Sequence, residues 1–449
     1  MDTGSLGTLD KSELIALIVA LSEQNTALAA RVAALEAKLN IAPKTPDNSS
    51  LPPSTGQKAN RPETAKTPRK GRPGVARTLE PNPDHVREVY AKACNGCGAR
   101  LLETDQPDVQ AYDHIDLPPV RPVTTRVNLH RGCCPGCGHR VAAMPPADMP
   151  LGSPFGPGIV ALVVYLHACH FVSYNRLVEM LHGLFGLTLS EGAIANMLAR
   201  AAIPFAAAGR RIEAEVRAAP VIASDETSAR VGGKTHWQWV FGCATAVSHI
   251  IAQSRSKAVV IAFLAGARPK VWISDRLAAQ AGHAGQHQVC LAHLIRDAQY
   301  AIDDGDMIFA PGFKGLLKRA CAIGRRRDTV RDSTLAAHRR DLDRRLDRLL
   351  TTCPNRSAGM KLKWAIADCR AKLFVFVTQR DVPATNNVSE RALRPSVIFR
   401  KVTNGFRSAW GAEVYADICS IVATGRLNGR TALEAIRTAL AAGPAPATP

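Results

Sequence analysis

At 449 residues the chain is too long for one ordinary hydrophobic core, so about two to four modules are expected. Its 57 Lys and Arg against 38 Asp and Glu leave a net charge of +19, which favours a polyanionic partner such as nucleic acid. A membrane partner is disfavoured, because no apolar run reaches the roughly 18 residues of a spanning helix; the longest, Ile159 to Phe171, carries His167 and His170.

The start, Met1-Asp2-Thr3, lacks a basic stretch followed by an apolar block, so the cytoplasm is the expected compartment. In that reducing setting the 12 cysteines are expected as metal ligands or small buried hydrophobes, not disulfides. From residue 10 to 40 one heptad frame holds, with Leu14, Leu21, Leu28 and Leu35 at d and Ile18, Asn25, Val32 and Leu39 at a. This spacing predicts a short coiled coil, and a single Asn at an a position favours an in-register dimer. A lone amphipathic helix packed on its own protein is the alternative.

Residues 41–84 form a basic, Pro-rich linker with too few large apolar side chains to build a core. Within it Pro68-Arg69-Lys70-Gly71-Arg72-Pro73-Gly74 resembles an AT-hook, in which Arg69, Lys70 and Arg72 would enter an A·T-rich minor groove. A solvated linker touching phosphates without reading sequence fits equally. Residues 85–145 then carry two Cys-x-x-Cys-Gly loops, Cys94 with Cys97 and Cys134 with Cys137. Four thiolates suit a closed tetrahedral Zn²⁺ site of structural type, with unmetallated buried thiols as the alternative. Cys133 is out of step, and His130 and His139 are substitute ligands.

Residues 150–215 read as helical, and 176–185, a Gly186 turn and 190–200 fit either a helix-turn-helix that reads DNA or plain scaffolding. From Pro220 the texture becomes short strands at 221–224, 236–245 and 248–252, a helix at 257–265 and a strand at 271–274. Three successive strands, a crossover helix and another strand give the order of a ribonuclease H-like fold. The whole is therefore expected to be multidomain α/β, with that core over 216–405, a helical Arg-rich insertion at about 305–370, and a C-terminal helical element over 406–445.

Asp225 follows the first of these strands and Asp275 the last, so both are expected at strand ends on one sheet edge. Two such aspartates with a helix-borne Glu390 can hold two Mg²⁺ or Mn²⁺ ions for phosphodiester chemistry. Each residue also has a structural reading: a strand-end Asp can cap a loop, and Asn387-Val388-Ser389-Glu390 matches a helix-capping box. Arg391, Arg394, Arg400 and Lys401, which crowd the same helix, suit a bound phosphate and are not explained by a cap. Glu226 competes as a ligand, but strand alternation turns it away from Asp225.

The stretches Asp225-Glu226-Thr227, Trp272-Ile273-Ser274-Asp275-Arg276, His287 to Asp297, and Thr385 to Pro395 closely resemble bacterial insertion-sequence transposases of family sixty-six. The resemblance implies a DDE transposase with Asp225, Asp275 and Glu390 as catalytic, metal-binding triad. It implies double-stranded DNA as substrate, transposon ends and target alike, a dimer or higher oligomer, other element-encoded proteins as further partners, and a place at the bacterial nucleoid. The Cys290-x-x-His293 pair resembles a motif that follows the second Asp in several DDE families. It reads as active-site support with Asn387, by packing or hydrogen bonding, or as a metal-ligand pair. Two other readings are a zinc-containing dimeric regulator with an inactive nuclease-like core, and a structure-specific DNA nuclease.

Overall fold

The computed structural model describes residues 10–38, 43–45, 47–49 and 77–442. The chain divides into a large unit, 1–57, 127–179 and 189–449, and a small one, 58–126 and 180–188. Arg69, Lys70 and Arg72 of the AT-hook-like stretch, Leu39, and the side chains of Leu14 and Leu35 lie outside the described residues.

The large unit is organised on a five-stranded mixed sheet of β3 (Val221–Val231), β4 (Lys234–Gly242), β5 (Val247–Ala252), β6 (Val271–Ser274) and β7 (Gln286–Val289). Its order is β5-β4-β3-β6-β7, antiparallel from β5 to β3 and parallel from β3 to β7. Strand β3 is longer than the apolar run 221–224 suggests. Gly232 and Gly233, at φ +56° and +78°, make a tight two-residue turn that keeps β3 paired with β4 out to Val231↔Lys234.

Side-chain alternation commits each sheet face to a different set of helices. Ile222, Trp239, Phe241 and Trp272 pack with Val216 of α4 (Glu191–Ala218) and Val260, Phe263 and Leu264 of α5 (Lys257–Leu264). On the opposite face Ala223, Val271, Ile273 and Val289 pack with α6 (Leu291–Asp303) and with the helical block α7 (Ala310–Arg326), α8 (Asp332–Thr351) and α9 (Ser357–Cys369). The four-residue α10 (Val375–Thr378) closes that block, and α11 (Asn387–Thr403) lays Leu393 on Val240 and Val247. Helix α12 (Ala409–Leu427) packs on β5 and α4, and α13 (Ala432–Ala441) on α12 and on α2 (Pro157–His170). No described helix is long and apolar enough to cross a membrane.

Two N-terminal expectations bear on assembly and DNA contact. Helix α1 (Lys11–Lys38) forms over the heptad stretch, and its Ile18, Leu21, Leu28 and Val32 are exposed in the single chain. The helix expected from 190 to 200 is the first part of the 28-residue α4, where Ser190 caps the N-terminus by accepting from the Ala193 amide at 3.1 Å. Ile194, Met197, Leu198 and Ala201 are buried there, so this face of the helix is committed to the interior.

Candidate active site

Asp225 lies within β3, not at its end. The expected strand-end position still exists in another sense, because β6 stops there. The parallel register runs Val221↔Val271 to Ala223↔Ile273, and the same offset of 50 brings Asp225 level with Asp275, the residue after β6. Both carry the parity of Ala223 and Ile273, hence they face α6 and α11. Asp225 is also paired with Val240, on which Leu393 of α11 rests.

Glu226 takes the other face, opposite Trp239. Its Oε1 accepts two bonds from Arg255, at 3.0 and 2.7 Å, and its Oε2 accepts one from Gln280 at 2.9 Å. With its side chain 1% exposed and both oxygens accepting hydrogen bonds, Glu226 braces the sheet face opposite Asp225.

Glu390 is delivered by a strap that ties α11 to the sheet. Ala384 O accepts from the Leu291 amide at 3.0 Å. The Asn386 amide donates to Cys290 Sγ at 3.2 Å, and its side-chain Nδ2 donates to Ser224 O, next to Asp225, at 2.8 Å. The capping box is therefore not formed. Asn386, not Asn387, is the cap residue, and it makes no side-chain cap bond: its Nδ2 is turned onto β3 and its Oδ1 has no partner. Asn387 is exposed on the first turn, whereas Asn386 is buried against Cys290 and Ser224. The doubled Asn before the helix was the available signal, and spacing alone could not say which of the two turns inward. Glu390 Oε1, freed from capping, is a buried oxygen with no hydrogen-bond partner.

Electrostatics mark these groups as one cluster. Asp225 is pushed up to about 8, first by burial and then by the charges of Glu226, Asp275 and Glu390, with only the Glu226 N–H opposing. Asp275 also accepts the Leu277 amide at 2.9 Å, so the loop-capping reading of this residue holds alongside the acidic one. Carboxylates gathered at a sheet edge are a set that a divalent cation, with its hard preference for oxygen, would neutralise.

Helix α6 lies beside the same acidic cluster. His293 Nε2 lies 3.6 Å and Arg296 NH2 3.8 Å from Glu390 Oε1, both outside hydrogen-bond range. His293 Nδ1, Arg296 Nε, Asn386 Oδ1 and Ser389 Oγ are likewise buried without partners. Burial, then Arg296, hold the His293 imidazole below its ordinary value, with Glu390 and Asp275 pulling the other way. Arg296 was not expected from sequence, although its place three residues after His293 puts it on the same helix face. Among the described residues the one group of three ligand types whose atoms all lie within 4.8 Å is Cys290, His293 and Glu390. Asp225 and Asp275 are not part of that group.

Of the basic residues on α11, Arg391 and Arg394 are exposed at the start of the helix and Lys401 is exposed near its end. Arg400 departs from the DNA-contact expectation. Its guanidinium bonds the Ser228 carbonyl and hydroxyl and reaches Thr227 Oγ1 at 3.5 Å, so it fastens α11 to β3.

The two cysteine loops, each taken by itself, share one geometry. Cys94 N donates to Ala99 O and Gly98 N to Cys94 O, at 2.8 and 2.9 Å; Cys134 N donates to His139 O and Gly138 N to Cys134 O, both at 2.8 Å. Gly98 and Gly138 take φ +77° and +71°, the left-handed turn that lets amides point back at the sulfur. Those amides, from Gly96 and Cys97 in one loop and Gly136 and Cys137 in the other, hold the Cys94 and Cys134 thiols below their ordinary value. The second loop sits on the hairpin of β1 (Arg131–Cys133) and β2 (Arg140–Ala142). No residue from 77 to 151 is buried, so this stretch has no apolar core to hold it.

Comparison with known families matches residues 152–414 to the family described as Transposase IS66 family. No curated protein matches the chain.

Proposed function

Because this chain belongs to the transposase IS66 family, whose role in moving DNA makes DNA its partner, we propose that it cuts insertion-sequence ends and joins them to target DNA on a ribonuclease H-like core. Asp225, Asp275 and Glu390 would hold two Mg²⁺ or Mn²⁺ ions. The observation that carries this reading is the acidic set at the edge where β6 ends, with Asp225 pushed up to about 8 and Glu390 Oε1 buried without a hydrogen-bond partner. When bound, such a pair of ions activates the attacking oxygen and stabilises the leaving one.

The chain's own contribution is placement. Asn386 latches the start of α11 to Ser224, the residue before Asp225. The Leu277 amide fixes one Asp275 oxygen. Arg391 and Arg394 supply phosphate contacts beside Glu390, with Arg69, Lys70 and Arg72 as further contacts from the linker. Each glycine-turned cysteine loop, Cys94 with Cys97 and Cys134 with Cys137, supports thiolate binding of a structural Zn²⁺, because a coreless stretch needs another source of folding energy. The exposed seam of α1 supports a dimeric coiled coil.

The test uses terminal-repeat DNA with Mg²⁺. Asp225→Asn, Asp275→Asn and Glu390→Gln should each lower nicking and strand transfer at least ~10³-fold while end binding persists. Near-normal cutting by any one variant removes that residue from the triad. Nicking by the wild type without transfer into a second duplex would point to a nuclease.

A further inference from the structure

We propose that Cys290, His293 and Glu390 form a separate site for a soft divalent ion of the Zn²⁺ class, which takes Glu390 away from the Mg²⁺ chemistry. The proposal concerns the same cluster and rests on the triad reading only for its consequence, not for the site itself.

Cys290 is the cap residue of α6 and His293 stands one turn on, so their side chains lie side by side on the helix. Glu390 comes from the first turn of α11, which the Asn386 strap presses against Cys290. Sulfur, nitrogen and carboxylate oxygen lie within 4.8 Å of one another. Around Zn²⁺, with bonds of roughly 2.0–2.3 Å, tetrahedral ligands are about 3.3–3.8 Å apart. Side-chain rotation of about 1 Å closes the difference, and a fourth position stays open to water.

Two further details support a bound ion. Glu390 Oε1 is buried without a hydrogen-bond partner and has His293 Nε2 at 3.6 Å and Arg296 at 3.8 Å, contacts too long to satisfy it and an arrangement that a bound ion would complete. The Asn386 N–H already points at Cys290 Sγ at 3.2 Å, the outer-shell donor that metal-bound thiolates ordinarily have. Thiolate and imidazole favour Zn²⁺ or Co²⁺, whereas Mg²⁺ demands oxygen. Binding exchanges the thiol proton for the ion, so one proton passes to solvent per ion bound and no redox step is involved. With one carboxylate shared, a soft ion in this site and a Mg²⁺ held through Glu390 exclude each other, and Zn²⁺ becomes an inhibitor of strand cleavage.

The experiment titrates Co²⁺ into the full chain and into Cys290→Ser and His293→Gln variants, reading bound equivalents by elemental analysis and the thiolate-to-cobalt charge-transfer band. Each variant should hold one equivalent fewer than wild type or bind it at least ~10-fold more weakly, and Cys290→Ser should lose a one-thiolate contribution to the band. Unchanged circular dichroism shows that the variants are folded. Equal Co²⁺ stoichiometry and band intensity in wild type and both variants would overturn the site. An Asp275→Asn chain should keep this Co²⁺ equivalent, so failure of the triad and failure of the soft-metal site are read separately. In wild type, micromolar Zn²⁺ should suppress Mg²⁺-dependent nicking and excess Mg²⁺ should relieve it; inhibition that Mg²⁺ cannot relieve would overturn the shared use of Glu390.

Discussion

Replacing Asp225 by Asn should stabilise the Mg²⁺-free protein while ending its chemistry. The carboxylate is pushed from its ordinary 3.8 up to about 8, mainly by burial and then by Glu226, Asp275 and Glu390. Because the folded-state value lies above the unfolded one, the folded chain binds more protons between them. The stability linked to this group is complete below about 3.8 and is lost as pH rises toward 8. At 1.36 kcal/mol per pH unit the loss by pH 7 has an upper bound of about 4 kcal/mol. Relaxation and water entry reduce it to about 2–4 kcal/mol. Asn keeps the shape and never ionises, so Asp225→Asn should recover that amount at pH 7.5 and little at pH 4. The assay is urea unfolding in Mg²⁺-free buffer without chelator, which leaves any tightly held zinc in place. Saturating Mg²⁺ should reverse the order, since an ion that binds only the folded wild type stabilises it by mass action. An Asp225→Asn chain no more stable than wild type at pH 7.5 would show that this carboxylate is not strained by its neighbours, and the acidic cluster would lose its main physical support.

Asn386→Ala removes the donor from the buried Ser224 carbonyl; it should cost about 1–3 kcal/mol in urea unfolding and lower the rate of single-turnover nicking more than DNA affinity. Arg391→Ala and Arg394→Ala should each flatten the dependence of log binding constant on log salt by roughly one unit, with little sequence preference, when end binding is measured by fluorescence anisotropy. Leu21→Glu combined with Leu28→Glu places charge in the exposed seam of α1, and sedimentation should show dissociation of the dimer with the rest of the chain still folded.

The parts of the sheet that run through the core were legible, since 221–224 and 271–274 are short, mainly apolar runs in which every residue but the half-buried Val221 is buried. The second half of β3, Asp225 to Val231, was not, because it leaves the parallel core, keeps only β4 as a full-length partner and reads polar. The Gly232-Gly233 pair was the missed signal. Strand β7 was hidden for another reason. Its Gln-His-Gln-Val sequence looks like loop, yet the Gln288 side chain donates to Leu373 O and accepts from Phe376 N, replacing apolar contact with internal hydrogen bonds. The two aspartates were expected at strand ends; Asp275 does follow β6, but Asp225 lies inside β3 and comes level with it through the parallel register. Glu390 was not decidable, since a capping box and a free acidic residue share one pattern, and the choice depends on where the Asn386 amide goes.

That choice also explains how a long helical block can stand between the second Asp and the Glu. Three bonds from residues 384–386, to Leu291, Cys290 and Ser224, fix the entry of α11 on the β7–α6 junction and on β3. None of them involves α7, α8 or α9. The position of Glu390 relative to Asp225 is therefore set by a strap of three residues anchored to the sheet, and the intervening helices need only return the chain to it. Their exposed arginines, Arg340 and Arg344 on α8 among them, can then change without moving the acidic cluster, whereas a change at Asn386 cannot.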